Sequence, residues 1–333
     1  MSDHDTNLKN ASHYIEGVLS KNRRILARTI TLIESSHPDH QDLGREIINR
    51  LLPNIGGSIR LGITGVPGVG KSTFIESLGM FLVGKGQRVA VLAVDPSSSR
   101  SGGSVMADKT RMERLSAHEN AFIRPSPSGG TLGGVARKTR EAMIICEAAG
   151  FDVIIVETVG VGQSETTVAS MVDFFLVLML AGAGDELQGI KRGVLELADA
   201  VAINKADGDN VQKAEKARKQ YELALHLLGS SSSTWTPPVL TCSAFEQASI
   251  EGIWETIIEH KHKMTATGEI NLKRKQQAFD WMWFLVEEGL KERFYQHPDV
   301  KKRLKEIVFN MEKGEITPTV AAQDLLFLVD NRH

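Results

Sequence analysis

The run Gly65-Val66-Pro67-Gly68-Val69-Gly70-Lys71-Ser72 limits what this chain can fold into more than any other feature. It matches GxxxxGK[ST] in full, directly after the β-branched stretch 60–64 and before a helical stretch that starts at Thr73 and runs to 82. Such a loop works at the turn from a buried strand into a helix N-terminus. There the glycines let consecutive backbone N–H groups turn inward around phosphate oxygens, and the helix end adds its partial positive charge. Lys71 then reaches the β and γ phosphates and Ser72 ligates magnesium, with Gly65 through Thr73 forming the phosphate cradle.

The surrounding pattern agrees with that turn. SIRLGITG, RVAVLAVD, DVIIVE, DFFLVLML and ADAVAIN are short apolar runs of the kind buried on both faces of a parallel sheet, and PPVLTCSA follows a polar, serine-rich linker expected to be a flexible surface loop. Helical or loop segments separate them. The expected fold is therefore α/β, a P-loop NTPase with a mostly parallel sheet flanked by helices. Residues 14–52 carry apolar spacing for two or three helices ahead of the first strand. Beyond about 265 the strand signals stop, and Pro298 and Thr317-Pro318 mark helix starts. The division expected is an N-terminal helical extension (1–56), a nucleotide-binding domain (57–265) and a C-terminal helical arm (266–333).

Asn204-Lys205-Ala206-Asp207 closes the strand AVAIN. An NKxD at a strand end presents its Asp carboxylate to the guanine N1–H and exocyclic amine, a paired contact that adenine cannot supply. Alone, the tetrapeptide is equally a solvated loop; after a full phosphate loop and ahead of Ser243-Ala244 at another strand end, it points to GTP and GDP. Glu157 ends the strand DVIIV and faces the nucleotide crevice, where it can hold magnesium through water while the Gly160 N–H meets the γ-phosphate. Asp95 ends its strand in the same way. A carboxylate at a strand end can equally cap a helix.

Taken together, GVPGVGKST, AVDPSS, DKTRM, FIRP, ETVGVGQSE, AGAGDELQGIKRG and NKAD resemble the MeaB/ArgK family of GTPases, which includes the human methylmalonic aciduria type A protein. The resemblance covers approximately residues 20–265. It implies a homodimeric, magnesium-dependent GTPase that protects and helps reload adenosylcobalamin-dependent methylmalonyl-CoA mutase. It also implies a metal-binding set of Ser72, Asp95, Asp108 and Glu157, switches around 95–112 and 157–166, and a further switch at 181–193 facing the mutase. No residue announces itself as a water-positioning glutamine or an arginine finger; Gln163 and Lys191 are the nearest candidates, so slow intrinsic turnover is expected. The alternative is a P-loop kinase acting on a small molecule or a transport-related protein, in keeping with an older family label. An ATPase conflicts with NKAD.

Bulk composition nominates no polymer. The 39 basic and 41 acidic residues nearly cancel without a block of one sign, which argues against a nucleic-acid partner. No apolar run approaches the roughly 18 residues of a membrane span and the first residues carry no signal core, so a cytoplasmic location is expected. Cys146 and Cys242 fit buried thiols in a reducing compartment. The ten histidines are scattered, unlike the histidine-rich stretches of related nickel chaperones, and His260 and His262 fit a solvated helix end. Trp281, Trp283 and Phe284 fit core or a dimer interface.

Overall fold

The structure, a computed structural model, describes residues 10–94, 112–125, 132–158, 164–182, 192–228 and 232–330. The chain divides into two compact units, Met1–Arg274 and Lys275–His333.

The first unit is built on a seven-stranded sheet with order β3-β2-β4-β1-β5-β6-β7. The strands are β1 (Ile59–Gly65), β2 (Val89–Val94), β3 (Ala121–Arg124), β4 (Val153–Thr158), β5 (Phe174–Leu180), β6 (Ala200–Asn204) and β7 (Val239–Thr241). Every pairing is parallel. The continuous apolar composition follows: with helices on both faces, both sides of each strand must be apolar. On one face the helices Lys71–Gly84 and Gln247–Ala266 pack together over the sheet, burying Phe74, Ile75, Leu78, Leu82, Ile253, Trp254 and Ile257 against Leu61, Ile63, Val91, Ile155 and Leu176. On the other, Leu132–Ala148 packs against β2 and β4, and Val211–Leu228 against β6 and β7. Three N-terminal helices, Ala11–Leu19, Arg23–Ile33 and Pro38–Leu51, pack among themselves and onto Leu132–Ala148.

Strand β3 was not among the expected strands. AFIR is four residues long at the edge of the sheet and too short to show a period, so sequence pattern alone registers FIRP only as part of a motif.

The N-terminal edge of the sheet is held by buried charge. Asp173, just before β5, accepts two hydrogen bonds from the Arg274 guanidinium at 2.7 Å each and one from the Arg60 N–H at 2.9 Å. Burial pushes the Asp173 carboxyl up, but the Arg274 hydrogen bonds and charge outweigh it and hold the group below the usual carboxylate range. Glu147 accepts from the N–H groups of Gly56 and Ser58 and from Arg60 at 2.7 Å. His260 is buried here, 1% exposed, with its ring edge-on to Phe174 and Trp235. That corrects the expectation of a solvated helix end. His262, two residues on, is exposed, because successive residues point to different sides of the helix. The serine-rich linker is likewise not a free surface loop at its end: Ser232 and Thr234 both donate to the Glu269 carboxylate, and Trp235 is buried.

The second unit consists of the rest of the helix Glu269–Gln296 with Pro298–Glu312 and Pro318–Asp330, the last two packed together. Pro298 and Pro318 stand at helix starts, where a missing N–H costs nothing. Trp281 and Phe284 stack at 4.9 Å, yet Trp283 is 50% exposed. Trp283 is therefore not core within this chain. No helix among the described residues is long and apolar enough to cross a membrane.

Candidate functional site

The phosphate loop, Glu157, the NKAD segment and Ser243-Ala244 meet at the C-terminal edge of the sheet, whereas Arg124 of FIRP, on the edge strand β3, pairs with Glu34 at the end of an N-terminal helix. The phosphate loop leaves β1 at Gly65, whose register partner on β5 is Leu178. A Cβ on Gly65 would stand 2.4 Å from the Leu178 carbonyl oxygen, so only glycine lets the loop start this close to its neighbour. Val66 and Val69 close a turn by a 3.2 Å backbone hydrogen bond. Gly70, at φ +92, then caps the helix Lys71–Gly84 with no side-chain hydrogen bond. The first N–H groups of that helix are thus left to point toward whatever sits in the loop.

Lys71 is buried along its stem, and its ammonium donates to the carbonyls of Gly65 at 2.8 Å and Val66 at 3.4 Å. Ser72 Oγ donates to Glu157 Oε1 at 3.2 Å. Glu157 occupies the end of β4 and is in register with Ile63 of β1 and Ala93 of β2. Its side chain meets the start of the phosphate-loop helix through Ser72. Behind it, Thr158 and Thr64 join hydroxyls at 2.7 Å, fully buried, which ties the ends of β4 and β1 under the loop. Nothing in the sequence pattern marks that pair, since threonine is ordinary in strands.

The NKAD segment is hydrogen-bonded to the same loop. Asn204 Nδ2 donates to the Val69 carbonyl at 2.8 Å, and Lys205 Nζ donates to the Gly68 carbonyl at 2.9 Å. Cys242, just after β7, donates its thiol to Asn204 Oδ1 at 3.5 Å. Burial pushes the thiols of Cys242 and Cys146 up to about 12, so both are neutral and unreactive. Asp207 is half-buried, and its carboxylate makes no capping bond to the short turn Gly208–Asn210 that follows. Ser243 is buried and accepts from the Phe245 N–H at 3.3 Å, while Ser77 of the phosphate-loop helix donates to the Ala244 carbonyl at 2.6 Å.

Asp95, Asp108, Gly160, Gln163, Lys191 and most of the loop 181–193 lie outside the described residues. Among the described residues no group of three or more His, Cys, Asp or Glu could hold a metal.

The family model described as "Methylmalonyl Co-A mutase-associated GTPase MeaB" matches residues 26–299. The chain belongs to the MeaB family. Like its relatives, this MeaB-family protein is a GTPase and takes a guanine nucleotide. It is 47% identical to "GTPase ArgK" of Escherichia coli over 93% of this chain and 94% of that protein. It is 45% identical to "Methylmalonic aciduria type A homolog, mitochondrial" of Mus musculus over 95% of this chain and 79% of that one. A solved structure described as "Crystal structure of LAO/AO transport system kinase" is 40% identical and superposes with a TM-score of 0.78 over 98% of this chain and all of the other. The expected P-loop NTPase fold is borne out for this MeaB-family chain.

Proposed function

We propose that this GTPase is magnesium-dependent and couples GTP binding and hydrolysis to the protection or cofactor loading of an adenosylcobalamin-dependent methylmalonyl-CoA mutase. The observation that supports a nucleotide-timed device most strongly is the pair of hydrogen bonds that Asn204 and Lys205 donate to the carbonyls of Val69 and Gly68. It makes the base-reading and phosphate-binding segments one unit. The choice of mutase as partner rests on the family description and on the mouse relative's name.

In this reading the N–H groups from Gly65 to Thr73 surround the phosphates, Lys71 lays its ammonium along the β and γ oxygens, and Asp207 pairs with the guanine edge, with Ser243 and Ala244 beside it. Ser72 Oγ and Glu157 Oε1, 3.2 Å apart, are hard oxygen donors at the right end of the helix for magnesium, and Asp95 and Asp108 complete the proposed set. Magnesium, when bound, neutralises charge that develops on the transferred phosphoryl group. Gln163 and Lys191 are proposed to orient the water and to answer the partner from their switch segments. Glu157 holds its carboxylate against Ser72 and so fixes the helix start.

A homodimer through the helix Glu269–Gln296 is part of the proposal, since Phe279, Met282, Trp283 and Leu290 are all about half exposed or more. A cytoplasmic location is also part of the proposal. A kinase is the second reading, because the solved relative is described as a transport system kinase; transfer of label from γ-labelled GTP to an acceptor rather than to water would favour it. The partner assignment is tested by sedimentation of the full chain with methylmalonyl-CoA mutase in the presence of GDP or a non-hydrolysable GTP analogue. A nucleotide-dependent complex is expected, and no co-sedimentation with either nucleotide would refute the partner.

A further inference from the structure

The loop that presents Asp207 begins with a strained residue. Lys205 stands at φ +58, one of two non-glycine residues with positive φ among those described, the other being Lys21. For an L-residue that conformation costs about 1–2 kcal/mol, so something nearby must hold it. The peptide unit leaving Lys205 is clamped at both ends. Its carbonyl accepts from Asn210 Nδ2 at 2.6 Å, and its N–H, which belongs to Ala206, donates to the Cys242 carbonyl at 2.9 Å. Asn210 also closes the turn through its backbone, donating to the Asp207 carbonyl at 3.0 Å. With that peptide plane fixed, the direction in which the chain runs on to Asp207 is fixed too. In this conformation Lys205 Nζ donates to the Gly68 carbonyl at 2.9 Å.

One end of the clamp is backbone, and a side-chain change does not remove it. The other end is the Asn210 amide, three residues beyond the NKAD motif. We propose that Asn210 is a positioning residue for base discrimination: its amide holds Lys205 in the left-handed conformation and so aims Asp207 at the 2-amino and N1–H groups of guanine. This rests on the reading of Asp207 as the guanine-pairing residue. Asn210 touches no nucleotide in this account; it acts through the Lys205 carbonyl.

The test compares affinities for GDP and for inosine diphosphate, which lacks the 2-amino group that one Asp207 oxygen would accept from. Asn210→Asp has the same shape but no N–H to donate, and it sets a carboxylate against a carbonyl. Asn210→Ala removes the group outright and is tolerated on a half-buried turn. One hydrogen bond is worth about 0.5–1.5 kcal/mol net. GDP affinity should therefore fall about three- to tenfold in both variants while affinity for inosine diphosphate changes less, so the ratio between them shrinks. In GTP turnover KM should rise with kcat little changed, whereas general destabilisation would lower the active fraction and leave the ratio alone. A wild-type ratio in both variants overturns the proposal by itself. A wild type that binds GDP and inosine diphosphate equally overturns the reading of Asp207 and this proposal with it.

Discussion

The Lys205 ammonium donates to the Gly68 carbonyl at 2.9 Å, so a residue of the NKAD segment, proposed to read the base, holds the middle of the phosphate loop. Gly68 is at φ +80 and open on its Cβ side, which leaves the loop few contacts of its own at that point. Asn204 adds a second, fully buried tie to Val69. In the proposed reading base specificity and phosphate affinity are mechanically joined as a result, and single changes in one motif should register in the other.

Replacing Asn204 by Ala strands the buried Val69 carbonyl without its partner, at a cost of about 1–3 kcal/mol. GDP affinity should fall by about tenfold or more, and adenine nucleotides should not gain. Asp207→Asn, by contrast, should move preference toward xanthine nucleotides and leave the loop in place. Calorimetry with GDP, XDP and ADP separates the two; equal binding of GDP and ADP by the wild type would contradict the account.

At Gly65 the limit is steric. An added Cβ would meet the Leu178 carbonyl oxygen, a backbone atom that cannot step aside. Gly65→Ala should cost about 1–3 kcal/mol or more of stability, read as a lower urea midpoint. A midpoint within error of the wild type would show that β1 and β5 yield at this point.

How much of this could be read from the sequence depends on whether a feature is local. The phosphate loop, the strands on either side of it and NKAD declare themselves because each is a contiguous pattern tied to one backbone conformation. His260 does not: HKHK reads as solvent-facing, and its burial is decided by Phe174 and Trp235, which only the fold brings to it. Asn210 is hidden for the same reason, being one polar residue in the turn GDN until the left-handed Lys205 gives its amide a task. The short edge strand β3 lacks the length for a period to show. Trp283 reads from its type as core or a dimer interface, and its exposure within the chain sets the first of these aside.

Desolvation of the buried His260 ring lowers its pKa from the usual 6.5, against the pull of Asp199, whose Oδ1 lies 3.7 Å from Nε2; Lys273 adds to the lowering. The unfolded chain therefore binds a proton more readily. The stabilising contribution is complete above about 6.5 and is lost as pH falls from there through the lower folded value. Denaturation midpoints measured from pH 7.5 downward should decline across that window, and His260→Gln should show a shallower decline. An equal slope in the variant would place the titrating group elsewhere.

Glu157→Ala removes the carboxylate that meets Ser72 Oγ. Hydrolysis should then need much higher magnesium to saturate, with GDP affinity in the absence of magnesium changed little. A magnesium dependence identical to the wild type would reduce Glu157 to a structural strand end.

The account as a whole turns on phosphate release from GTP by the full-length protein, with and without stoichiometric methylmalonyl-CoA mutase. Slow magnesium-dependent release that accelerates when the mutase is added is the result expected of a GTPase whose hydrolysis times an encounter with that partner. Release that is indifferent to the mutase, with the γ-phosphoryl group passing instead to a small-molecule or protein acceptor, would contradict it.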